Sequence, residues 1–234
     1  MSLSNILVTG ASRGIGAAIL DALANKAEVI GHASTPREGL LAADLDRPGA
    51  ASALWAEALD RFDGRIDVLI NNAGVFEAAP IDLDDAAWLA SWERTMRINL
   101  TASAELCRLA VRHFEGREGR IVNVASRAAY RGDSPAHWHY AASKAGMVAM
   151  TKSIARGHAA AGVLAFAVCP GFTMTGMAED YLASRGGDKL LADIPLGRVA
   201  DPAEVADAVR FLALDAPPSM TGAVIDINGA SYVR

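Results

Sequence analysis

The sequence predicts an α/β fold built around a doubly wound parallel sheet, and two observations predict it. Short, β-rich apolar runs alternate with longer helical patterns along the whole chain. Those runs are apolar on both faces rather than alternating, as strands covered by helices on each side are.

The strand candidates, in order, are Asn5–Thr9, Glu28–His32, Gly39–Ala43, Asp67–Asn71, Arg120–Val124, Val163–Val168 and Ala223–Ile227. Helical patterns fall near 14–25, 49–62, 84–114, 138–160 and 202–213. The last begins "DPAEVADAVRFLA", with Asp201 as N-cap and Pro202 at the first helical position. One link departs from the pattern. Only "STPREG" separates the second and third strands, where a parallel crossover normally takes a dozen residues or more. The expectation is that the helix between strands 2 and 3 is missing and a bare loop crosses.

With 234 residues, 52% hydrophobic, and a mean hydropathy of +0.20, the chain is sized for one domain with one large core. Its net charge of −5 and the absence of a basic run disfavour a nucleic-acid partner. Cys107 and Cys169 match no metal or redox spacing, so no metal site is expected and both read as free thiols in a reducing compartment. No leader and no span of about 20 apolar residues is visible, which points to a cytoplasmic protein without membrane contact.

The first strand runs into "LVTGASRGIG", with glycines at 10, 14 and 16. Glycine permits a tight turn and close backbone approach, and the helix N-terminus that follows favours a pyrophosphate. A plain tight turn is the other reading of such a loop. An NAD enzyme usually carries an acid after the second strand to hold the ribose 2′-hydroxyl. Here that strand ends "GHAST", without a carboxylate. Arg13 can meet a 2′-phosphate with its planar fork, and Arg37 either joins it or is a solvated loop residue. NADP(H) is therefore favoured over NAD(H).

Tyr140 and Lys144 in "HYAASKAGM" are four residues apart, about one helical turn, so they share a face. A phenol and an ammonium so placed form either a surface pair or an acid tuned by a cation. The ordered set "TGASRGIG", "NNAG" (71–74), Asn99 in "INL", "IVNVAS" ending at Ser126, "YAASK" (140–144) and "CPGFTMT" (169–175) decides between them. Together with "IPLGRVADPAEVADAVRFLA" and "TGAVIDING", it resembles the short-chain dehydrogenase/reductase family over essentially the whole chain. The likeness is closest in flavour to NADPH-dependent 3-oxoacyl-carrier-protein reductases.

The resemblance implies a single-domain Rossmann-like oxidoreductase over 1–234. Tyr140 would be the proton donor in ketone reduction and the base in alcohol oxidation. Lys144 and the positive nicotinamide would lower its pKa from about 10, and Lys144 would also hold the nicotinamide ribose. Ser126 would bind the substrate oxygen, and Asn99 would hold a water relaying protons to Lys144. Cofactor contacts would come from Gly10, Ser12, Arg13, Gly14, Ile15 and Gly16 in the loop and from Ser34 after strand 2. Asp44 and Leu45 would face adenine, and Asn72, Ala73 and Gly74 the adenosine ribose. Pro170, Gly171, Thr173 and Thr175 would face nicotinamide and pyrophosphate, with Thr175 a helix N-cap on the other reading.

The resemblance also implies a homotetramer paired through the helices near 84–114 and 138–160, with "NGASYVR" at another interface. The substrate would be a small-molecule ketone, with a 3-oxoacyl thioester as one class. An NAD(H)-dependent sugar or polyol dehydrogenase is the rival enzyme, and a non-catalytic cofactor-binding sensor or scaffold is the rival from another class. Gly157, Ala161 and Phe166 replace residues usual in the carrier-protein reductases and put carrier-protein docking in doubt. Fourteen positions separate Ser126 from Tyr140, one more than is common. "HWH" (137–139) places Trp138 against the sheet or in the pocket wall, with the two histidines at a loop surface or at the substrate. The substrate lid is expected near 172–197, with Met174, Met177, Tyr181 and Leu182 forming an apolar wall.

Overall fold

A computed structural model gives the structure of residues 3–174 and 191–234. Strands β1 (Ser4–Val8), β2 (Ala27–Ala33), β3 (Leu40–Ala42), β4 (Val68–Asn71), β5 (Gly119–Val124), β6 (Val163–Pro170) and β7 (Val224–Ile227) form one sheet. Their order is β3-β2-β1-β4-β5-β6-β7 and every pair is parallel. Seven strands fall where the apolar runs placed them. The chain is a single α/β domain with a Rossmann-like sheet.

Neighbouring strand residues point to opposite faces, and each face has its own core. Leu7, Leu69 and Ile121 pack with α2 (Ala50–Arg61) and α4 (Ala102–Phe114) through Leu54, Trp55, Leu106 and Phe114. Ile6, Val8, Val68, Ile70, Val122 and Phe166 pack on the other face with α1 (Gly14–Leu23) and α7 (Pro202–Arg210) through Ile19, Leu23, Val205 and Val209. Helix α6 (Trp138–His158) lies against β6 on the α4 side. Because both faces are buried, the strands carry no polar face for a sequence pattern to show.

Residues 34–39 hold no helix, so the bare crossover is real. β3 is only three residues long, and Gly31 pairs with Leu40 while Ala33 pairs with Ala42. Returning along so short a strand takes about 10 Å, within reach of the six-residue loop. The stretch near 84–114 is two helices, α3 (Asp85–Met96) and α4, joined by a wide π-type turn at Arg97–Thr101. A short helix, α5 (Ala128–Arg131), follows β5 and has no apolar periodicity to announce it. At α7, Asp201 accepts from Ala203 N–H at 2.8 Å while Glu204 accepts from Asp201 N–H at 2.8 Å, a complete capping box. Among the described residues no helix is long and apolar enough to cross a membrane. Of the expected lid, residues 175–190 lie outside the described residues, with Thr175, Met177, Tyr181 and Leu182.

Candidate active site

The order β2-β1-β4 puts the reversal of the winding between β1 and β4, and the C-terminal strand ends there open a crevice. The glycine loop leaves β1 at this point. Gly10 has φ +65°, and a Cβ on it would stand 2.6 Å from Ala73 Cα. A Cβ on Gly16 would stand 2.0 Å from Gly10 O and 2.6 Å from Asn72 Nδ2. The loop closes on "NNAG" through two residues. Thr9 Oγ1 accepts from Asn72 N–H and Ala73 N–H, both at 3.0 Å. Asn72 Nδ2 donates to Thr9 O at 3.0 Å and Gly10 O at 2.9 Å.

Helix α1 starts at Gly14 with Arg13 as N-cap and no side chain capping it. Its first-turn amides therefore present a partial positive charge with no side-chain acceptor, a cradle that fits a pyrophosphate. Ser12 and Ile15 are half-buried, and Arg13 is exposed at the loop's rim. Ser34 and Arg37 are exposed beyond β2, and neither arginine carries an ion pair among the described residues. Asp44 follows β3, accepts from Asp46 N–H at 3.1 Å and pairs with Arg47, while Leu45 is buried beside it. Pro170 ends β6, and a Cβ on Gly171 would stand 2.9 Å from Asn228 Cα. Thr173 is buried with its hydroxyl donating to Gly171 O at 3.3 Å.

Ser126, just beyond β5, accepts from Ala128 N–H at 3.1 Å, and its hydroxyl is near enough to the Tyr140 hydroxyl to pull that group's pKa down. Lys144 stands one turn after Tyr140 on α6. Its Nζ is 5.9 Å from the Tyr140 ring centroid and donates to Val124 O at 2.9 Å. Gly74 lies over them: a Cβ there would meet Asn99 Oδ1 at 3.3 Å and Lys144 Nζ at 3.5 Å.

Asn99 sits in the π-type turn, fully buried. Its Oδ1 accepts from Val75 N–H at 2.8 Å, and its Nδ2 donates to Val75 O at 3.0 Å and Ser143 Oγ at 3.3 Å. Ser143 Oγ in turn donates to Tyr140 O at 2.7 Å. Both amide hydrogens are engaged, so the Asn99 side chain braces the loop after Gly74 against α6. A water held by Asn99 would have to use an oxygen, its backbone carbonyl foremost.

Burial pushes the Tyr140 phenol up to about 12, against the opposing influence of the Ser126 hydroxyl. The lowering that the resemblance implies takes Lys144 and the positive nicotinamide together. The same burial brings Lys144 down to about 8, which leaves it a cation at neutral pH. Such a phenol stays protonated at neutral pH and can give a proton to a carbonyl oxygen. To take one from an alcohol it needs further positive charge nearby.

Tyr140 has an aromatic neighbour that the sequence reading missed. Phe76 meets its ring edge-on at 4.8 Å and stacks on His137 at 3.9 Å with planes 3° apart. The signal was a Phe two residues after "NNAG". His139 is buried, with Nε2 3.3 Å from Ser91 Oγ and its ring stacked on Trp92, not at a loop surface. Trp138 is 50% exposed with its edge against Trp88, so it does not pack on the sheet. Arg127, directly after Ser126, is 8% exposed, its guanidinium 5.0 Å over the Phe172 ring and 3.5 Å from Asp193 Oδ2. Cys107 and Cys169 are both free and buried.

A family model described as enoyl-(acyl carrier protein) reductase matches residues 10–230. The chain is 36% identical to the 3-oxoacyl-(acyl-carrier-protein) reductase FabG of Vibrio cholerae, over 97% of this chain and 96% of that one. It is 37% identical to the 3-oxoacyl-(acyl-carrier-protein) reductase of Synechocystis, over 95% and 94%. It is also 36% identical to the D-threitol dehydrogenase of Mycolicibacterium smegmatis, over 97% and 92%.

Proposed function

The chain belongs to the short-chain dehydrogenase/reductase family of NAD(P)-dependent oxidoreductases, and within it we propose that it uses NADP(H) to reduce a ketone to a secondary alcohol with Tyr140 as proton donor. The observation that carries this reading is the hydroxyl pair: Ser126 lies close enough to the Tyr140 hydroxyl to act on its pKa, beside Lys144. Two hydroxyls at one point address a single oxygen atom. Reduction of a carbon–carbon double bond, which the matched family model's description would suggest, delivers its proton to carbon instead.

A bound nicotinamide dinucleotide supplies the hydride. Ser126 donates to the substrate oxygen and stabilises the charge that develops there. Tyr140 transfers its phenolic proton to that oxygen, and the adjacent Lys144 stabilises the phenolate left behind. Asn99 holds the geometry by tying Val75 and Ser143 together. We assign the dinucleotide contacts to Gly10, Ser12, Gly14, Ile15, Gly16, Asn72, Ala73, Gly74, Pro170, Gly171 and Thr173, with Asp44 and Leu45 for the adenine. Thr175 keeps only its sequence-based assignment.

The missing acid after β2 and the unpaired, exposed Arg13 and Arg37 support NADP(H). The names of the two carrier-protein reductases support a 3-oxoacyl thioester, free or on a carrier. The D-threitol dehydrogenase supports the rival, oxidation of a polyol with NAD. A homotetramer in the cytoplasm belongs to the same reading.

Titration with NADPH and NADH, then turnover on 3-oxoacyl thioesters, simple ketones and polyols, tests it. Tight NADPH binding with ketone reduction is expected; NADH preference with polyol oxidation would overturn the cofactor and substrate assignments. Tyr140→Phe is expected to bind NADPH yet lose about 10²–10⁴ in turnover. Full activity in that variant would remove Tyr140 as the acid, and cofactor binding without turnover on any substrate would favour a sensor.

A further inference from the structure

His32 lies in the interior of β2, 2% exposed, at a place where the strand pattern calls for an apolar residue. Its ring bridges two backbone groups. Nδ1 is 3.2 Å from Gly10 N, and Nε2 is 2.8 Å from Ala43 O. A peptide N–H can only donate and a carbonyl can only accept. The two partners therefore allow one form of the ring: neutral, with the proton on Nε2 and Nδ1 bare.

Both partners belong to the crevice. Gly10 is the first glycine of the loop, at φ +65°, with its own carbonyl taken by Asn72. Ala43 directly precedes Asp44 and Leu45. The backbone adds a further tie, since Ala11 N–H donates to His32 O at 2.7 Å. The imidazole is thus a spacer that sets the distance between the glycine loop and the exit of β3.

We propose that His32 is a positioning residue for the dinucleotide site: its neutral imidazole presets the glycine loop, and its protonation weakens dinucleotide binding. The proposal rests on the reading of this crevice as a dinucleotide site. An imidazolium carries a proton on Nδ1, which would point at the Gly10 N–H, donor against donor. The loop must then shift or lose the bond, and the amides meant for the pyrophosphate shift with it.

The titratable side chains on the surrounding elements are Arg13 in the loop, Asp21 on α1, Lys26 and Glu28 at the far end of β2, Arg37 and Glu38 in the crossover, Asp44, Asp46 and Arg47 after β3, and Glu57, Asp60 and Arg61 on α2. All lie at the surface or half-buried, and burial rather than any charge is what holds His32 below its ordinary 6.5. Cofactor affinity is therefore flat at and above pH 6.5 and falls only as pH passes below the ring's lowered pKa, by up to about tenfold per pH unit.

The test is calorimetric titration of NADP⁺ into wild-type protein and into His32→Asn, from about pH 8 to about pH 5. Asn Oδ1 can take the place of Nδ1, accept from Gly10 N–H, and never protonate. Near pH 8 the variant is expected to bind within about tenfold of wild type. Toward pH 5 the wild type is expected to weaken more than the variant, and the gap to widen as pH falls. The 2′-phosphate of NADP⁺ titrates near pH 6, but equally for both proteins. Parallel pH profiles would overturn the proposal. Should the wild type bind no dinucleotide near pH 8, the site reading itself fails. Nitrogen NMR of the His32 ring in the wild type decides the matter without a variant. Protonated Nε2 with bare Nδ1 at neutral pH is expected, and the opposite tautomer or a charged ring would refute it.

Discussion

Lys144 is a charge placed where charge is costly. It is 4% exposed, and burial takes its pKa from 10.5 to about 8, on the order of 3 kcal/mol against the ammonium. The sign follows from proton counts. Below pH 8 the lysine is charged in both folded and unfolded chains, and folding bears the full cost. Between about 8 and 10.5 the folded amine is neutral while the unfolded one still binds a proton, so stability rises with pH. Above 10.5 nothing further changes. Lys144→Met is expected to abolish this gain: wild-type stability relative to the variant should climb by up to about 3 kcal/mol between pH 8 and 10.5, read as urea midpoints. Parallel curves would show that the ammonium is not desolvated. The Tyr–Lys spacing was legible in the sequence because four residues make one turn of one helix. The direction of the Tyr140 shift was not, because it depends on burial in the folded chain, where Phe76, far from α6 in sequence, meets the ring.

Among the elements, the glycine loop is held by close approach. Gly16 has no room for a methyl group: its Cβ would overlap Gly10 O and crowd the Asn72 amide. Gly16→Ala is expected to weaken NADPH binding roughly tenfold or more and to lower thermal stability, since forcing extra volume into packed backbone costs about 1–3 kcal/mol. Wild-type affinity and Tm in that variant would mean the loop does not close on "NNAG" as described. The spacing of the loop was readable because strand, turn and helix are contiguous. The absent helix after β2 was readable from loop length alone. The π-type turn at Arg97–Thr101 was not: its residues continue a helical pattern, and only the brace from Asn99 to Val75 and Ser143 shows what the widened turn is for.

For the whole molecule, two of the exposed apolar side chains stand on the helices that the tetramer would pair. Leu89 on α3 and Trp138 at the start of α6 are each about half exposed, with Trp88 against Trp138. Such a patch is the kind that association covers. On the proposed homotetramer, sedimentation equilibrium should give about four times 24.4 kDa at micromolar concentration, and Leu89→Asp should shift it toward smaller species. A wild-type monomer would remove the tetramer, and an unaffected tetramer in the variant would move the interface elsewhere.

What the sequence determined by itself is what is local or ordered along the chain: seven apolar runs, the glycine turn, the Tyr–Lys turn and the succession of motifs. Each is set by spacing within one element or by order between elements, and both survive without coordinates. Tertiary structure alone decided what lies between elements. It made Asn99 a brace, buried His139 and Arg127, put Phe76 against Tyr140, and set His32 between Gly10 and Ala43. Burial and hydrogen-bond partners are properties of the folded contact set, and no period in the sequence encodes which distant backbone amide a lone histidine will meet.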